Sequence, residues 1–164
     1  MPSLQTIATI AFIGTGATVI MDVWLLFLKL VGVPTGSFAL IGRWVGHFAR
    51  GKFAHAAIAK SKPIHGELAL GWLTHYATGV AYAALLFAFV GVRWIEQPTV
   101  LPAFIFGLAT VAAPFLVMQP AMGSGLAASK TAAPAANRLR SLANHSVFGL
   151  GLYFSAIAIA WASR

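Results

Sequence analysis

Four apolar runs, each long enough to cross a bilayer, constrain this chain more than any other feature. They lie at about residues 7–30, 68–92, 100–118 and 142–162, and a spanning helix needs roughly 20 mostly apolar residues. Only 9% of the 164 residues are charged, whereas soluble domains carry about 25%. The sequence therefore predicts an all-α integral membrane four-helix bundle that forms one transmembrane domain, residues 1–164.

Basic residues are concentrated in two loops, and this placement predicts the topology. Eleven Lys and Arg stand against three acidic residues, and most lie between the first and second runs or between the third and fourth. Cytoplasmic loops carry such an excess, so both loops are expected inside the cell and both termini outside. The first run lacks the positive flank of a signal peptide and is expected to be retained. Because topology accounts for the charge, no nucleic-acid partner is expected.

The segment 37–49 differs from the spanning runs because its two faces are unlike. Apolar residues recur at helical spacing, and basic ones occupy the opposite face. This pattern predicts an amphipathic helix in the cytoplasmic interface, ended by Gly51. Two roles stay open, adhesion to anionic lipid or a site for an anionic headgroup or ligand. The candidate residues for that site are Arg43, His47, Arg50, Lys52 and Lys130.

Asp22 lies inside the first run and is the most unfavourable residue to place in a bilayer. A central aspartate costs about 2.5–3.5 kcal/mol on insertion scales, so it is expected to face a partner. His75 and His145 lie in the second and fourth runs. We predict a ligand or proton pocket formed by Asp22, His75, His145, Thr18, Tyr76 and Gln119.

The first and third runs match each other, which suggests a duplication. The series Phe12, Ile13, Ala17, Thr18, Val19 corresponds to Phe104, Ile105, Ala109, Thr110, Val111 at a constant offset of 92 residues. The second and fourth runs match more loosely at an offset of 70, which pairs His75 with His145. A two-span repeat keeps its orientation in the membrane, so the sequence predicts parallel repeats of two-span hairpins.

Several chemistries fit the polar residues, and the sequence leaves them open. The residues can be satisfied packing groups, or they can form a proton or ion relay. His75 and His145 could instead hold haem or a metal, with Met21, Met118 and Met122 as thioether ligands for copper. Acid–base catalysis on a lipidic substrate would use Glu67, His65 and Arg43. The absence of cysteine excludes disulfides and thiolate chemistry.

Two near-motifs fail for definite chemical reasons. The series SGLAASKT at 124–131 has the length of a phosphate loop, but serine stands where both glycines are needed and a spanning run precedes it. His65-Gly-Glu67 is similar to part of a zinc deaminase motif, yet the required cysteines are missing.

Five stretches together resemble a known family. They are MDVW at 21–24, GRWVGHFARGKF at 42–53, GELALGWLTHYATG at 66–79, MQPAMGSGLAASKT at 118–131 and HSVFGLGLY at 145–153. They resemble a family of small bacterial inner-membrane proteins catalogued as a domain of unknown function. The resemblance implies a four-span protein of the bacterial inner membrane, and it brings no assigned catalytic residues.

These observations favour a non-enzymatic membrane module that binds or passes a small ligand or proton through the intramembrane pocket. The alternative is a structural accessory subunit of a larger membrane complex, or one that holds haem, metal, pigment or lipid. Four helices of this length enclose little volume. We therefore expect a homo-oligomer or a membrane-protein partner in addition to the lipid bilayer.

Overall fold

The computed structural model describes residues 3–91 and 93–162, and within these ranges it contains helices but no β-strand. Four of the described helices are long and apolar enough to cross a membrane: Leu4–Leu30, Glu67–Val90, Val100–Ala121 and Pro134–Ala162. The α-helices are α1 (Leu4–Leu30), α2 (Phe38–Gly46), α3 (Glu67–Val90), α4 (Arg93–Glu96), α5 (Val100–Ala109), α6 (Gln119–Ala121) and α7 (Pro134–Ala162). The predicted all-α class with four spanning-length helices is confirmed. The predicted end of the second run at residue 92 lies outside the described residues.

α1 begins three residues before the predicted run because Ser3 caps it. The Ser3 hydroxyl accepts a hydrogen bond from the backbone N–H of Thr6, which satisfies one of the free donors of the first turn. At the other end, Lys29 lies in the last turn, where a cation interacts favourably with the helix dipole. The chain then leaves the helix at Gly32, whose φ is +79°.

The amphipathic segment forms α2 followed by a short 3-10 turn, Phe48–Arg50. Gly51 ends this turn in the left-handed conformation, with φ +68°, as the sequence predicted. α2 is in backbone contact with the start of α3, because a Cβ on Gly42 would overlap the Glu67 carbonyl oxygen. The placement of this segment in a membrane interface remains a prediction.

The third span changes its hydrogen-bond pattern at Pro114. α5 ends at Ala109, and a π-helical turn, Pro114–Met118, leads directly into α6. Proline has no N–H and its ring crowds the preceding turn, and a π-bulge is one way to absorb such a disturbance. The helical segment extends to Ala121, three residues beyond the predicted end.

α7 begins eight residues before the predicted fourth run. Its first two turns contain Asn137, Arg138 and Arg140 among alanines. This composition forms helix readily, but it is too polar to be counted as part of an apolar spanning run. At 1.5 Å per residue, the extra turns lengthen the helix by about 12 Å.

The described chain divides into two compact units. The first unit, here called the span unit, comprises Met1–Pro34, Tyr76–Thr110 and Ala143–Arg164. Its core is formed by fully buried aliphatic side chains, among them Ile13, Leu86 and Leu152. Many large apolar side chains on the same helices are exposed, for example Val23, Phe89 and Phe154. An apolar exterior of this kind is what a surface in contact with lipid requires.

The second unit, here called the loop unit, comprises Thr35–His75 and Val111–Leu142. It contains α2, α6 and two further 3-10 turns, Ile58–Lys60 and Leu126–Ala128. Backbone hydrogen bonds from His55 to Ala121 and from Ile58 to Met122 join its two chain segments. Its interior includes two imidazoles, His47 and His55, which are only 5% and 6% exposed.

Candidate functional site

Asp22 and Tyr76, both predicted pocket residues, meet in the span unit. The Tyr76 hydroxyl donates a hydrogen bond of 2.8 Å to Oδ2 of Asp22, which joins α1 to α3. Both side chains are half-buried. An aspartate within a spanning-length helix therefore has the partner that its sequence position demands.

Glycines hold α1 and α3 close enough for this bond. A Cβ on Gly14 would lie 2.5 Å from the Cα of Val80, so the two backbones touch at this point. Thr18, another predicted pocket residue, is buried beside Gly79 and donates its hydroxyl proton to the Gly14 carbonyl at 2.8 Å. Thr18 thus serves the helix contact. Small residues at such crossings are typical of membrane helices.

His145 is paired with Thr110 within the span unit. The Thr110 hydroxyl donates to the Gly107 carbonyl, and its oxygen lies 2.7 Å from Nδ1 of His145. Since the hydroxyl proton is already used, Nδ1 of His145 must carry the proton of this second bond. The neutral ring then has an unprotonated Nε2. Asn144, the residue before His145, accepts a hydrogen bond on Oδ1 from Trp24 Nε1 at 2.9 Å. This bond joins α1 to α7.

His75 and Gln119 lie in the loop unit. The His75 ring packs at 4.6 Å, between centroids, from Phe38 of α2, and Trp72 lies against the same phenyl ring at 4.1 Å. Gln119 donates from Nε2 to the Ser141 hydroxyl at 3.5 Å, while its buried Oε1 has no partner among the described residues.

Arg43, predicted to belong to a site for an anionic headgroup or ligand, forms an ion pair within the protein. Its Nε and Nη2 donate to both carboxylate oxygens of Glu67 at 2.9 and 2.8 Å, and the two side chains are 11% and 18% exposed. Nη1 donates to the carbonyls of Ala59 and Ser61, and Glu67 accepts the N–H of Ile64. The hydrogen bond to Glu67 raises the pKa of Arg43. Arg43 therefore organises the loop instead of presenting an open basic surface.

His47 and His55 form a buried imidazole pair in the loop unit. Nδ1 of His47 lies 2.7 Å from Nε2 of His55, and Nε2 of His47 lies 3.0 Å from the Lys62 carbonyl. A carbonyl only accepts, so Nε2 of His47 carries a proton and its Nδ1 accepts from His55. Burial lowers the pKa of His55, and the nearby Lys52 and His47 lower it further, while a hydrogen bond to the Ala121 carbonyl acts in the opposite direction.

Arg50, Lys52 and Lys130, the other candidates for an anionic site, are exposed. As for a metal site, no cluster of three or more His, Cys, Asp or Glu side chains occurs among the described residues. Sequence reasoning missed His55 altogether. It lies eight residues after His47, beyond the reversal at Gly51, so helical periodicity carries no signal for the pair.

Comparison with known proteins identifies a family whose function is unknown. A family model described as protein of unknown function, DUF2938, matches residues 11–159. No match was found among the curated proteins or among the solved structures.

Proposed function

Because the chain belongs to the DUF2938 family, whose function is unknown, its activity must be argued from its own residues, and we propose a non-enzymatic membrane module that passes protons. In this proposal the Asp22 carboxylate takes up and releases the proton inside the first spanning helix. Tyr76 is the positioning residue that holds the carboxylate in place.

The observation that supports this proposal is the 2.8 Å hydrogen bond between Tyr76 and Asp22. An ionisable group within a spanning helix is unfavourable and is typically retained for function, proton relays being a common case. Both side chains of the pair are half-buried.

The rest of the span unit contributes rigidity and a second titratable ring. The contact between Gly14 and Val80 fixes the separation of α1 and α3, so the carboxylate and the phenol need no reorganisation to meet. His145 holds its Nδ1 proton on Thr110 and has a free Nε2 lone pair when neutral, which suits a second carrier of the same proton.

Proton flux into proteoliposomes tests the proposal. Purified protein is reconstituted with an internal pH-sensitive dye, and a potassium gradient with valinomycin supplies the driving potential. We expect wild-type vesicles to change internal pH faster than empty vesicles and Asp22→Asn vesicles to match the empty ones. Tyr76→Phe should slow the flux while leaving part of it.

Glu96→Gln is the matched control, since it also removes one of the three acidic groups but at an exposed position. It should retain wild-type flux. Asp22→Asn vesicles with wild-type flux, or wild-type vesicles no faster than empty ones, would contradict the proposal.

The proposed setting is the inner membrane of a bacterium, with both termini outside. The four spanning-length helices support a membrane location, and the basic loops between them support the orientation. We further propose that the chain works as a homo-oligomer or with a membrane-protein partner, because four helices of this length enclose little volume.

A further inference from the structure

The turn after α2, residues 48–53, presents aromatic surface to the outside, and we call it the aromatic turn. The Phe53 side chain is 60% exposed. Its ring lies 5.1 Å from the ring of Phe48, which lies 4.9 Å from the indole of Trp44, between centroids. The three rings therefore form one continuous apolar cluster within the loop unit, and Phe53 is its exposed end.

Hydrogen bonds hold the aromatic turn in one conformation. The backbone N–H of Lys52 donates to the His47 carbonyl at 3.2 Å, across Gly51 in its left-handed conformation. This arrangement is a common helix ending. The Trp44 indole N–H adds a bond of 2.8 Å to the Phe53 carbonyl. The exposed ring is thus presented by an ordered turn, so a partner that binds it has little chain ordering to impose.

Two cations beside the exposed ring lack a counter-charge within the loop unit. Arg50 and Lys52 are both exposed. The loop unit contains five Lys and Arg before α3 and three after it, against a single acidic residue, Glu67. Both oxygens of Glu67 are bonded to Arg43, so this carboxylate is already used. The charge of the turn therefore favours an anionic partner from outside the unit.

Contacts within the loop unit relate the aromatic turn to the beginning of a spanning-length helix. A Cβ on Gly42 would overlap the carbonyl oxygen of Glu67, the first residue of α3. The Arg43–Glu67 pair therefore lies where the apolar span begins. Trp44 follows Arg43 directly, and tryptophan is enriched at the membrane–water boundary. Because the Trp44 indole is bonded to Phe53, these contacts support a position of the turn at the same boundary.

We propose that the aromatic turn docks on a layer of anionic lipid headgroups, with Phe53 inserted at the membrane boundary and Arg50 and Lys52 on the negative headgroup charges. Of the two roles that the sequence leaves open, this is adhesion to lipid, since Arg43 and His47 bond inside the protein. Each Lys or Arg near an anionic membrane surface favours docking by about fivefold. The proposal does not depend on proton flux.

A spin label in place of Phe53 tests the docking, because the chain has no cysteine. Full-length Phe53→Cys carrying a nitroxide is reconstituted into nanodiscs of phosphatidylcholine or of an equal mixture with phosphatidylglycerol. Electron paramagnetic resonance then compares collisions of the label with oxygen and with a neutral, water-soluble nickel chelate. We expect the anionic discs to raise the access of oxygen and to lower the access of the chelate.

Removal of the two cations should release the labelled turn. Arg50→Ala combined with Lys52→Ala should weaken docking by about thirtyfold, the product of two fivefold effects, and return the label to its accessibility in phosphatidylcholine. Salt at 1 M, where the Debye length is about 3 Å, should do the same to the wild-type cations. Lys60→Ala combined with Lys62→Ala removes two other exposed lysines of the loop unit. This matched control should retain docking.

Three results would overturn the proposal. The first is equal accessibility of the label in the two kinds of disc, and the second is an unchanged label after removal of Arg50 and Lys52. The third is a label shielded in native membranes but not in nanodiscs of the purified chain, because the turn would then bind an acidic protein partner instead of lipid. None of these results depends on whether the chain passes protons.

Discussion

The three acidic side chains lie in different surroundings, and each therefore responds differently to neutralisation. Asp22 bonds to a phenol within a spanning helix, Glu67 is paired with Arg43 on two oxygens, and Glu96 is exposed on α4. Removing one partner of a doubly hydrogen-bonded ion pair that is largely shielded from water is strongly destabilising, because the other charge is left without compensation.

Glu67→Gln should destabilise the loop unit. The substitution leaves the Arg43 guanidinium, which is 11% exposed, with carbonyl partners but no counter-charge. We expect a clear loss in the free energy of unfolding, as for removal of one partner from a hydrogen-bonded ion pair. Chemical unfolding in detergent measures it. Glu96→Gln should change stability by about 0.5 kcal/mol or less, and equal effects of the two variants would count against the ion pair.

The buried imidazole of His55 makes stability depend on pH. Its pKa is lowered in the folded chain, so the unfolded chain binds this proton more readily. The contribution of the neutral His55 ring to the stability of the fold is complete above the usual pKa of 6.5. It is lost as the pH falls below that value. We expect His55→Gln to reduce the fall in thermal stability between about pH 6.5 and 5. His65→Gln alters an exposed ring and should not reduce it, and a matching reduction would show that burial of His55 is not the cause.

Sequence reasoning found the residues whose need for a partner follows from their own position. Asp22 is such a residue, since a charge within a spanning run must be satisfied, and Tyr76 was named with it. His55 could not be found in this way, because its partners, His47 and the Ala121 carbonyl, are brought to it by tertiary folding. The same applies to Arg43, whose bond to Glu67 closes across two helices.

Helix packing in the span unit depends on glycines at backbone contacts. Gly14→Ala should destabilise the protein, because the new Cβ would lie within 2.9 Å of three backbone atoms of Gly79 and Val80. We expect a loss of about 1–3 kcal/mol, as for other overpacked sites, measured by thermal unfolding in detergent.

Gly16→Ala is the control on the same helix, and it gains the same helix propensity. Its Cβ would meet no backbone atom but only the Ser155 side chain, whose Oγ can rotate away while its Cβ stays at 3.1 Å. It should therefore cost clearly less than Gly14→Ala. If the two variants were equally stable, the close approach of α1 and α3 at Gly14 would not be the important contact.

The elements themselves were largely predictable, since apolar length locates a spanning helix. The prediction fell short where polar residues continue a helix, as in the first two turns of α7, and where Ser3 starts α1 earlier than the apolar run. Pro114 indicated a disturbance, but its form, a π-helical turn, depends on how the neighbouring carbonyls are satisfied. The duplication of two hairpins stays a prediction.

At the scale of the whole molecule, the proposed orientation places both basic loops in the cytoplasm. The chain has no cysteine, so single cysteines can report topology directly. We expect an impermeant maleimide to label Gln97→Cys in intact cells and Ala54→Cys only after permeabilisation, since both positions are exposed and one follows α3 in the chain whereas the other precedes it. The reverse labelling pattern would invert the proposed orientation.

Membership of the family sets no constraint on the chemistry, so the proposed function depends on one carboxylate inside the membrane. A carrier residue must change its protonation state, whereas a packing residue keeps it. This difference separates the proton-passing proposal from the alternative in which Asp22 only accepts a structural hydrogen bond.

Infrared difference spectroscopy of reconstituted protein during a pH change measures that protonation directly. If Asp22 carries the proton, a carboxyl C=O band should appear as the pH falls, be absent in Asp22→Asn, shift in Tyr76→Phe and persist in Glu96→Gln. A wild-type spectrum without such a band, or a band that persists in Asp22→Asn, would contradict the claim that Asp22 carries a proton.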